Sequence, residues 1–196
     1  MSEADIQHVT ECNIRNRQLN LSETISPEAF HLLKQMLQYS KDDRPTAASC
    51  LNHPFFWSKK EKKDFLCAVG NQPEIQRPRH IASSCGLSSV ETDLEVAFAS
   101  EFSSNPWDTK IPQIYMEMTC MPRSRRYITS SAVDLVRFVR NSYAHCSEPT
   151  RSSFFKKKLL DDYVYFDTFS TLVVTVYDIV MKYRWNGREE IRNALS

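Results

Sequence analysis

The chain has 196 residues, of which 41% are hydrophobic and 25% charged, and its net charge at pH 7 is +1. These values are typical of a globular protein with one solid core or two small ones. They exclude a strongly basic chain that would attract nucleic acid through its overall charge, so any such affinity must come from local patches.

Local patterns exclude further classes. The 6 cysteines are scattered, without a C-x-x-C pair or a histidine at ligand spacing, so we expect reduced thiols and no metal site. No apolar run reaches the roughly 18 residues that a membrane span needs. The acidic, polar start at residues 1–5 is unlike a signal peptide. We therefore expect a cytoplasmic location or, within a longer receptor, the cytosolic face of a membrane.

The first predicted helix covers residues 26–38. Ser26 suits the N-cap and Pro27 the first helical position. Its apolar stripe is expected at Phe30, Leu33 and Leu37. After a turn at residues 40–45, a second short helix is predicted from Thr46 to about Leu51.

The next predicted helix begins with the pattern of a capping box, Ser58 with Glu61, and ends at Gly70. Residues 71–89 are rich in Pro, Ser and Arg, which predicts a loop or connector. An acidic amphipathic helix is expected around residues 90–98. A helix or an extended arm is expected at residues 113–120.

Two longer segments complete the predicted helices. Ser131 is suited to cap a helix, and Pro149 lies just beyond the end of that helix. Its apolar face is expected to consist of Ala132, Leu135, Val136, Val139 and Tyr143. Residues 166–185 place apolar side chains at helical spacing, and their length favours one helix although their Val and Thr content suits a strand. The sequence therefore predicts a nearly all-α chain.

Residues suited to chemistry gather at the end of the Ser131 helix. Asn141 and His145 are four residues apart and point to nearly the same side, and Arg140 borders that face. Tyr127 lies thirteen residues before Arg140. A cation for phosphate and two proton-transfer groups are what cleavage of an RNA backbone without a metal ion needs.

Each of these residues also has a structural interpretation. A histidine after a helix often lies at the surface or caps the helix, and Tyr127 could simply pack. Arg140 could pair with Asp134, Asp161 or Asp162, and Asn141 could only end the helix. For the two basic clusters the alternatives are RNA binding and a solvated surface. The candidate RNA-binding residues are Arg123, Arg125, Arg126, Lys156 and Lys157.

Two separate stretches resemble a known family. Arg44-Pro45-Thr46, followed by the run 53–56 (His-Pro-Phe-Phe), resembles the last two helices of a eukaryotic protein-kinase C-lobe. The run 134–141, with Tyr127 before it and His145 after it, resembles the kinase-extension nuclease (KEN) domain. That domain is shared by ribonuclease L and the inositol-requiring kinase/endonuclease of the unfolded-protein response.

The resemblance implies an all-α fold in which kinase C-lobe terminal helices precede a helical KEN (HEPN-like) nuclease domain. Residues 1–57 would be the C-terminal remnant of the kinase C-lobe, and residues 58–190 the nuclease domain. The chain lacks the kinase Gly-rich loop, catalytic loop and Asp-Phe-Gly segment, so no nucleotide-binding site is expected. No metal or other cofactor is expected either.

The resemblance also implies an activity. Family members cleave RNA without metal to 2′,3′-cyclic phosphate and 5′-hydroxyl ends, and they act as dimers. Tyr127, Arg140, Asn141 and His145 match the family's catalytic residues. His145 is interpreted as general acid and Tyr127 as base or orienting group, with the reverse assignment open. Arg140 would hold the phosphate, and Asn141 would orient the phosphate or His145.

Two alternatives to an active nuclease stand beside this interpretation. The chain could be a catalytically inactive dimerisation or RNA-binding module, because the family's dimer is built largely across kinase surfaces. It could also be an inert pseudokinase fragment, which the four matching residues argue against. A homodimer is expected through the nuclease domain or through a kinase portion absent from this sequence.

Overall fold

The computed structural model describes residues 25–77, 86–120 and 126–195. All regular secondary structure in these ranges is helical, which confirms the predicted all-α fold class. The chain divides into two compact units, one ending at Phe56 and the other beginning at Trp57. No helix in the described ranges is long and apolar enough to cross a membrane.

In its described residues, 25–56, the first unit contains two α-helices and two short 3₁₀ turns. The helices are α1 (Pro27–Met36) and α2 (Ala47–Leu51), and the turns are Lys41–Asp43 and Pro54–Phe56. Ser26 caps α1 as predicted, because its hydroxyl accepts a hydrogen bond from the Ala29 amide at 3.2 Å.

The predicted apolar stripe of α1 is wrong. Phe30 and Leu37 are exposed, and Leu32 is buried instead. Helix α1 packs against the nearby 3₁₀ turn with the side that carries Leu32 and His31. There His31 Nδ1 and Nε2 of the buried His53 are hydrogen-bonded at 2.8 Å. The side of α1 that faces the turn therefore carries a polar contact as well as the buried Leu32.

The second unit contains nine α-helices within the described residues. They are α3 (Lys59–Gly70), α4 (Pro73–Gln76), α5 (Ser89–Phe102), α6 (Pro112–Thr119), α7 (Ala132–His145), α8 (Ser153–Leu160), α9 (Val164–Thr168), α10 (Leu172–Lys182) and α11 (Glu189–Ala194). Two 3₁₀ turns, Trp107–Lys110 and Trp185–Gly187, complete it.

Helix α7 lies at the centre of this unit, packed against α3 and α5. Its predicted apolar face is confirmed. The buried members are Ala132, Leu135, Val136, Val139 and Tyr143. Large side chains from other elements close the core around it, among them Trp107, Phe65, Tyr165 and Phe155, all fully buried. Burial of each such ring stabilises the fold by about 1.5–3 kcal/mol.

Capping boxes start two of the helices. In α3 the Glu61 carboxylate accepts a hydrogen bond from the Ser58 amide at 2.6 Å, and the Ser58 hydroxyl accepts one from the Glu61 amide at 3.3 Å, as predicted. Ser88 and Glu91 form the same arrangement at the start of α5. This second box lies at the end of the predicted connector.

Two predicted segments differ in the structure. Within the predicted connector at 71–89, α4 forms a helical turn whose Ile75 is fully buried. The single helix predicted over 166–185 is wrong, because the chain leaves the helical conformation at Phe169, between α9 and α10. The break lets the Phe169 ring pack edge-on against Phe102, with centroids 6.3 Å apart.

Candidate active site

Three of the four predicted catalytic residues lie in the last two turns of α7. The N-terminus of this helix is fixed by the Ser131 hydroxyl, which accepts the Asp134 amide at 3.1 Å. The Glu95 carboxylate adds hydrogen bonds from the amides of Ala132 and Val133 at 3.0 and 3.2 Å. A carboxylate at a helix N-terminus also interacts favourably with the helix dipole. The helix is therefore a rigid support for its polar C-terminal end.

A chain of hydrogen bonds joins Arg140, Asn141 and Tyr127. Arg140 Nη1 donates to Asn141 Oδ1 at 3.1 Å, and Asn141 Nδ2 donates to the Tyr127 hydroxyl oxygen at 2.8 Å. The side-chain amide of Asn141 thus accepts a hydrogen bond from Arg140 through its oxygen and donates one to Tyr127 through its nitrogen. The structure brings these three predicted residues together.

The Tyr127 ring is held in a buried aromatic pocket. It is 9% exposed and packs edge-on against Trp107 and Phe138, with centroids 6.2 and 5.1 Å away. The next amide, that of Ile128, donates to Asp134 Oδ2 at 2.6 Å. These contacts fix both the ring and its backbone, so that the hydroxyl meets Asn141.

Arg140 is braced from α3 and from the C-terminal helix. Its Nε donates to Asn71 Oδ1, and Asn71 Nδ2 donates to Glu190 Oε1 on α11. Its Nη2 has no hydrogen-bond partner in the described part of the chain. The neighbouring Cys67 thiol stays neutral, because burial raises its pKa to about 11. Because Nη2 has no described partner and the nearby thiol carries no negative charge, Nη2 is available to donate a hydrogen bond to an anion.

Arg140 does not form the ion pairs considered as its structural alternative. Asp134 pairs with Arg137 at 2.7 Å, and Asp162 pairs with Lys158 at 2.7 Å. Within the described residues Arg140 has no carboxylate partner. Its contacts are amide oxygens, which orient the guanidinium and leave its charge uncompensated at the surface of α7.

His145 stands apart from this chain of hydrogen bonds. It lies four residues after Asn141 on the same helix face. Its side chain is 48% exposed, and its Nδ1 lies 2.6 Å from Glu148 Oε1. Three of the four predicted residues are thus linked by hydrogen bonds, and the fourth, His145, lies one helical turn further along α7.

The predicted RNA-binding residues are distributed over two regions. Arg126 is exposed directly before Tyr127, whereas Arg123 and Arg125 lie outside the described residues. On α8, Lys157 is exposed and Lys156 half-buried, and neither forms an ion pair with another described residue. No group of three or more His, Cys, Asp or Glu in the described ranges is placed to hold a metal ion.

The family model described as Ribonuclease 2-5A matches residues 62–194. The chain belongs to the Ribonuclease 2-5A family. The match runs from within α3 to the end of α11, so it contains Tyr127 and all of α7. The predicted resemblance to the kinase-extension nuclease domain is thereby confirmed.

Curated relatives of this Ribonuclease 2-5A family member carry kinase names. The chain is 29% identical over 159 residues to the probable serine/threonine-protein kinase ireA of Dictyostelium discoideum, which covers 80% of this chain and 15% of that protein. It is 32% identical over 122 residues to the serine/threonine-protein kinase/endoribonuclease IRE1a of Arabidopsis thaliana, covering 62% of this chain and 13% of that protein.

A third relative extends over almost the whole chain. The serine/threonine-protein kinase/endoribonuclease IRE1 of Hypocrea jecorina is 27% identical over 198 residues, which covers 95% of this chain and 15% of that protein. The chain thus spans about 13 to 15% of the length of these three curated relatives.

Sequence reasoning missed several residues that support the site of this Ribonuclease 2-5A family member. Asp134 and Arg137 form a buried pair, and Arg137 also donates to the carbonyl oxygens of Ile75 and Arg77. The spacing of Asp134 and Arg137 on one helix face was the available signal. No sequence pattern could have paired Asn71 with Arg140, because they are separated by 69 positions.

Proposed function

We propose that this chain is an endoribonuclease that cleaves RNA by attack of a ribose 2′-hydroxyl on the adjacent phosphorus, without a metal ion. The observation that carries the proposal is the hydrogen-bonded chain Arg140–Asn141–Tyr127, one helical turn from His145, in a Ribonuclease 2-5A family member. Two of the relatives described above are named kinase/endoribonucleases.

The proposed reaction transfers two protons and exchanges one phosphorus–oxygen bond. Tyr127, as the base, takes the 2′-hydroxyl proton while the 2′-oxygen bonds to phosphorus. The bond from phosphorus to the 5′-oxygen of the next nucleotide breaks, and His145 gives that oxygen a proton. The products carry a 2′,3′-cyclic phosphate and a 5′-hydroxyl. A DNA strand lacks the attacking group and is expected to be inert.

The contacts of each residue support these roles. Asn141 donates to the Tyr127 oxygen, which stabilises negative charge there. Arg140 can direct Nη2 to a phosphate oxygen, and guanidinium geometry suits phosphate. His145 lies at the C-terminal end of α7, where the helix dipole favours a positive charge. The arrangement thus favours Tyr127 as base and His145 as acid.

The partners follow from the same proposal. RNA would be the substrate, held by Arg126, Lys156 and Lys157 together with Arg123 and Arg125. Activity would require a homodimer, through the nuclease domain or through a kinase portion in a longer protein. The proposed location is the cytoplasm or the cytosolic face of a membrane, where RNA is available.

The proposed domain organisation assigns residues 1–57 to a kinase C-lobe remnant and residues 58–190 to the nuclease. The division of the chain into two compact units at Phe56 and Trp57 supports it.

Cleavage of a mixed single-strand and stem-loop RNA in excess EDTA tests the proposal. Wild type should give cyclic-phosphate ends at a rate that rises steeply with protein concentration. His145→Ala and Tyr127→Phe should each lose about 10²- to 10⁴-fold in rate. Tyr39→Phe, at an exposed tyrosine of the first unit, is the matched control. Absence of cleavage by folded wild type at high concentration would overturn the proposal that this chain cleaves RNA on its own, and would leave a non-catalytic module or a nuclease that depends on a kinase portion.

The acid and base roles can be separated with a modified RNA. A sulfur atom in place of the 5′-bridging oxygen makes a leaving group that needs no protonation. His145→Ala should regain activity on this RNA, and Tyr127→Phe should not. Recovery by Tyr127→Phe alone would reverse the assignment.

A further inference from the structure

Glu148 lies between His145 and Arg151, one turn beyond the end of α7. Its Oε1 is 2.6 Å from His145 Nδ1, and its Oε2 is 3.5 Å from Arg151 Nη2. The two carboxylate oxygens therefore serve two different partners. One of these partners is the exposed imidazole, and the other is a guanidinium that is only 8% exposed.

The chemistry of the carboxylate determines where the imidazole carries its proton. An ionised carboxylate can only accept hydrogen bonds, so Nδ1 must be the donor of the 2.6 Å contact. A neutral His145 ring then has its proton on Nδ1 and a lone pair on Nε2. Nε2 has no hydrogen-bond partner among the residues that the structure describes, and it is the nitrogen left to meet RNA.

The position of Glu148 is itself fixed. Its amide donates to the His145 carbonyl oxygen at 3.2 Å, and the Arg151 amide donates to its carbonyl oxygen at 3.1 Å. Arg151 Nη1 donates to the carbonyl oxygen of Glu117 on α6 at 2.6 Å, and its guanidinium lies 5.4 Å from the Phe155 ring centroid. The carboxylate thus rests on a largely buried cation that is tied to a second helix.

We infer that Glu148 is a positioning residue, which holds His145 in the orientation and tautomer that present Nε2 to the leaving 5′-oxygen. This inference rests on the proposed function. When both ring nitrogens are protonated, the carboxylate compensates the positive charge of the ring. After Nε2 has given up its proton, Nδ1 keeps its own and the ring stays in place.

A purely structural role fits the geometry less well. Both side chains are close to half exposed, and exposed pairs of this kind stabilise proteins little. The end of α7 is also held by backbone hydrogen bonds, which the amides of Cys146 and Glu148 donate to carbonyl oxygens of the last helical turn. Removal of the carboxylate takes one partner from Arg151, which keeps its hydrogen bond to the Glu117 carbonyl oxygen. It should therefore leave the fold intact while it changes the state of the imidazole.

Cleavage by Glu148→Ala and Glu148→Gln provides the first measurement. Glu148→Ala should lower kcat by about 10- to 100-fold, less than the loss caused by removal of His145 itself. Glu148→Gln should retain part of the rate, because its amide oxygen still accepts the Nδ1 proton. Glu101→Ala removes a carboxylate that pairs with Lys110 away from α7 and is the matched control.

The second measurement reads the tautomer directly and does not depend on RNA cleavage. Nitrogen-15 NMR resolves Nδ1 from Nε2, and the His145 signals are those lost in His145→Ala. In wild type the neutral ring should carry its proton on Nδ1. In Glu148→Ala it should shift toward Nε2, and Glu101→Ala should leave it unchanged.

The outcomes separate this inference from the proposed function. If wild type cleaves RNA and Glu148→Ala is as active as Glu101→Ala, the positioning role is overturned and the proposed function stands. An unchanged tautomer in Glu148→Ala overturns the role as well. If folded wild type does not cleave, the proposed function fails and the catalytic role of Glu148 fails with it.

Discussion

A β-carbon at Gly70 would lie 2.5 Å from Cβ of Arg140 and 2.9 Å from its Cγ. The end of α3 therefore passes so close to α7 that only a hydrogen atom fits between them. Gly70 does not have a positive φ, so space and not backbone conformation requires the glycine here. Because Gly70 has no side chain, Cβ and Cγ of Arg140 have room to pack against the end of α3.

Gly70→Ala should consequently displace Arg140. The clash is with the root of the side chain, which cannot swing away without moving the guanidinium or the helix. We expect a loss of about 10- to 100-fold in kcat/KM, the equivalent of one charge-assisted hydrogen bond. Stability should fall by about 1–3 kcal/mol, as in other overpacked sites. RNA cleavage and urea denaturation measure the two effects.

Gly187→Ala is the control, because nothing lies within 4 Å of a β-carbon there. It should leave both quantities close to wild type. A fully active Gly70→Ala protein would show that Arg140 tolerates displacement or takes no part in cleavage.

Asn71→Ala should release Arg140 by a different route. The substitution removes the acceptor of the Arg140 Nε hydrogen bond and leaves Glu190 with only the hydrogen bond from Gln72 Nε2. We expect about a tenfold fall in kcat/KM, because the guanidinium remains but only its contact with Asn141 still orients it. Single-turnover and steady-state cleavage would measure the loss. Asn186→Ala, at an exposed position, should have no effect; equal rates for both variants would show that the brace from α3 is dispensable.

Local signals in the sequence predicted much of the fold. Ser26, Ser58 and Ser131 cap helices where expected, because each cap depends on residues within three positions. The apolar face of α7 could be predicted because helix periodicity is also local. Since Arg140, Asn141 and His145 lie on one continuous helix, their proximity could be predicted too.

Contacts over long separations could not be predicted. Glu95 meets the start of α7 from 36 positions away, and Asn71 reaches Arg140 over 69 positions. The break at Phe169 has a similar cause, since the ring leaves the helix to pack against Phe102. In each case the contact or the helix break depends on how distant segments pack, and a short stretch of sequence carries no information about that packing.

Asp134→Asn should destabilise the second unit. Asp134 is 1% exposed and accepts hydrogen bonds from Arg137 Nη1 at 2.7 Å and the Ile128 amide at 2.6 Å. An amide in its place turns one acceptor into a donor and leaves the buried guanidinium with only the Glu91 carboxylate, 3.9 Å away, as its counter-charge. We expect a loss of about 3 kcal/mol in the free energy of unfolding and reduced cleavage, because the Tyr127 backbone loses its anchor.

Urea denaturation of Asp134→Asn, followed by circular dichroism, gives this free energy. Asp93→Asn breaks a partly exposed pair with Lys182, while its amide oxygen can still accept the Tyr183 hydroxyl, and it serves as the control, with little change expected. If both variants were equally stable, the buried pair would not be a determinant of the fold.

The ion pair between Glu74 and Arg188 should make stability depend on pH. Arg188 donates to both Glu74 oxygens, at 2.6 and 2.9 Å, and these hydrogen bonds lower the pKa of the Glu74 carboxyl in the folded state. A lowered folded-state pKa gives stability that is fully present above the unfolded-state pKa of about 4.3 and is lost as pH falls through the folded value. Glu74→Gln should therefore cost about 1 kcal/mol or less at pH 7, and this difference from wild type should be smaller at pH 3. Urea denaturation at the two pH values, with Glu189→Gln as control, measures it; a difference that persists or grows in acid would contradict the assignment.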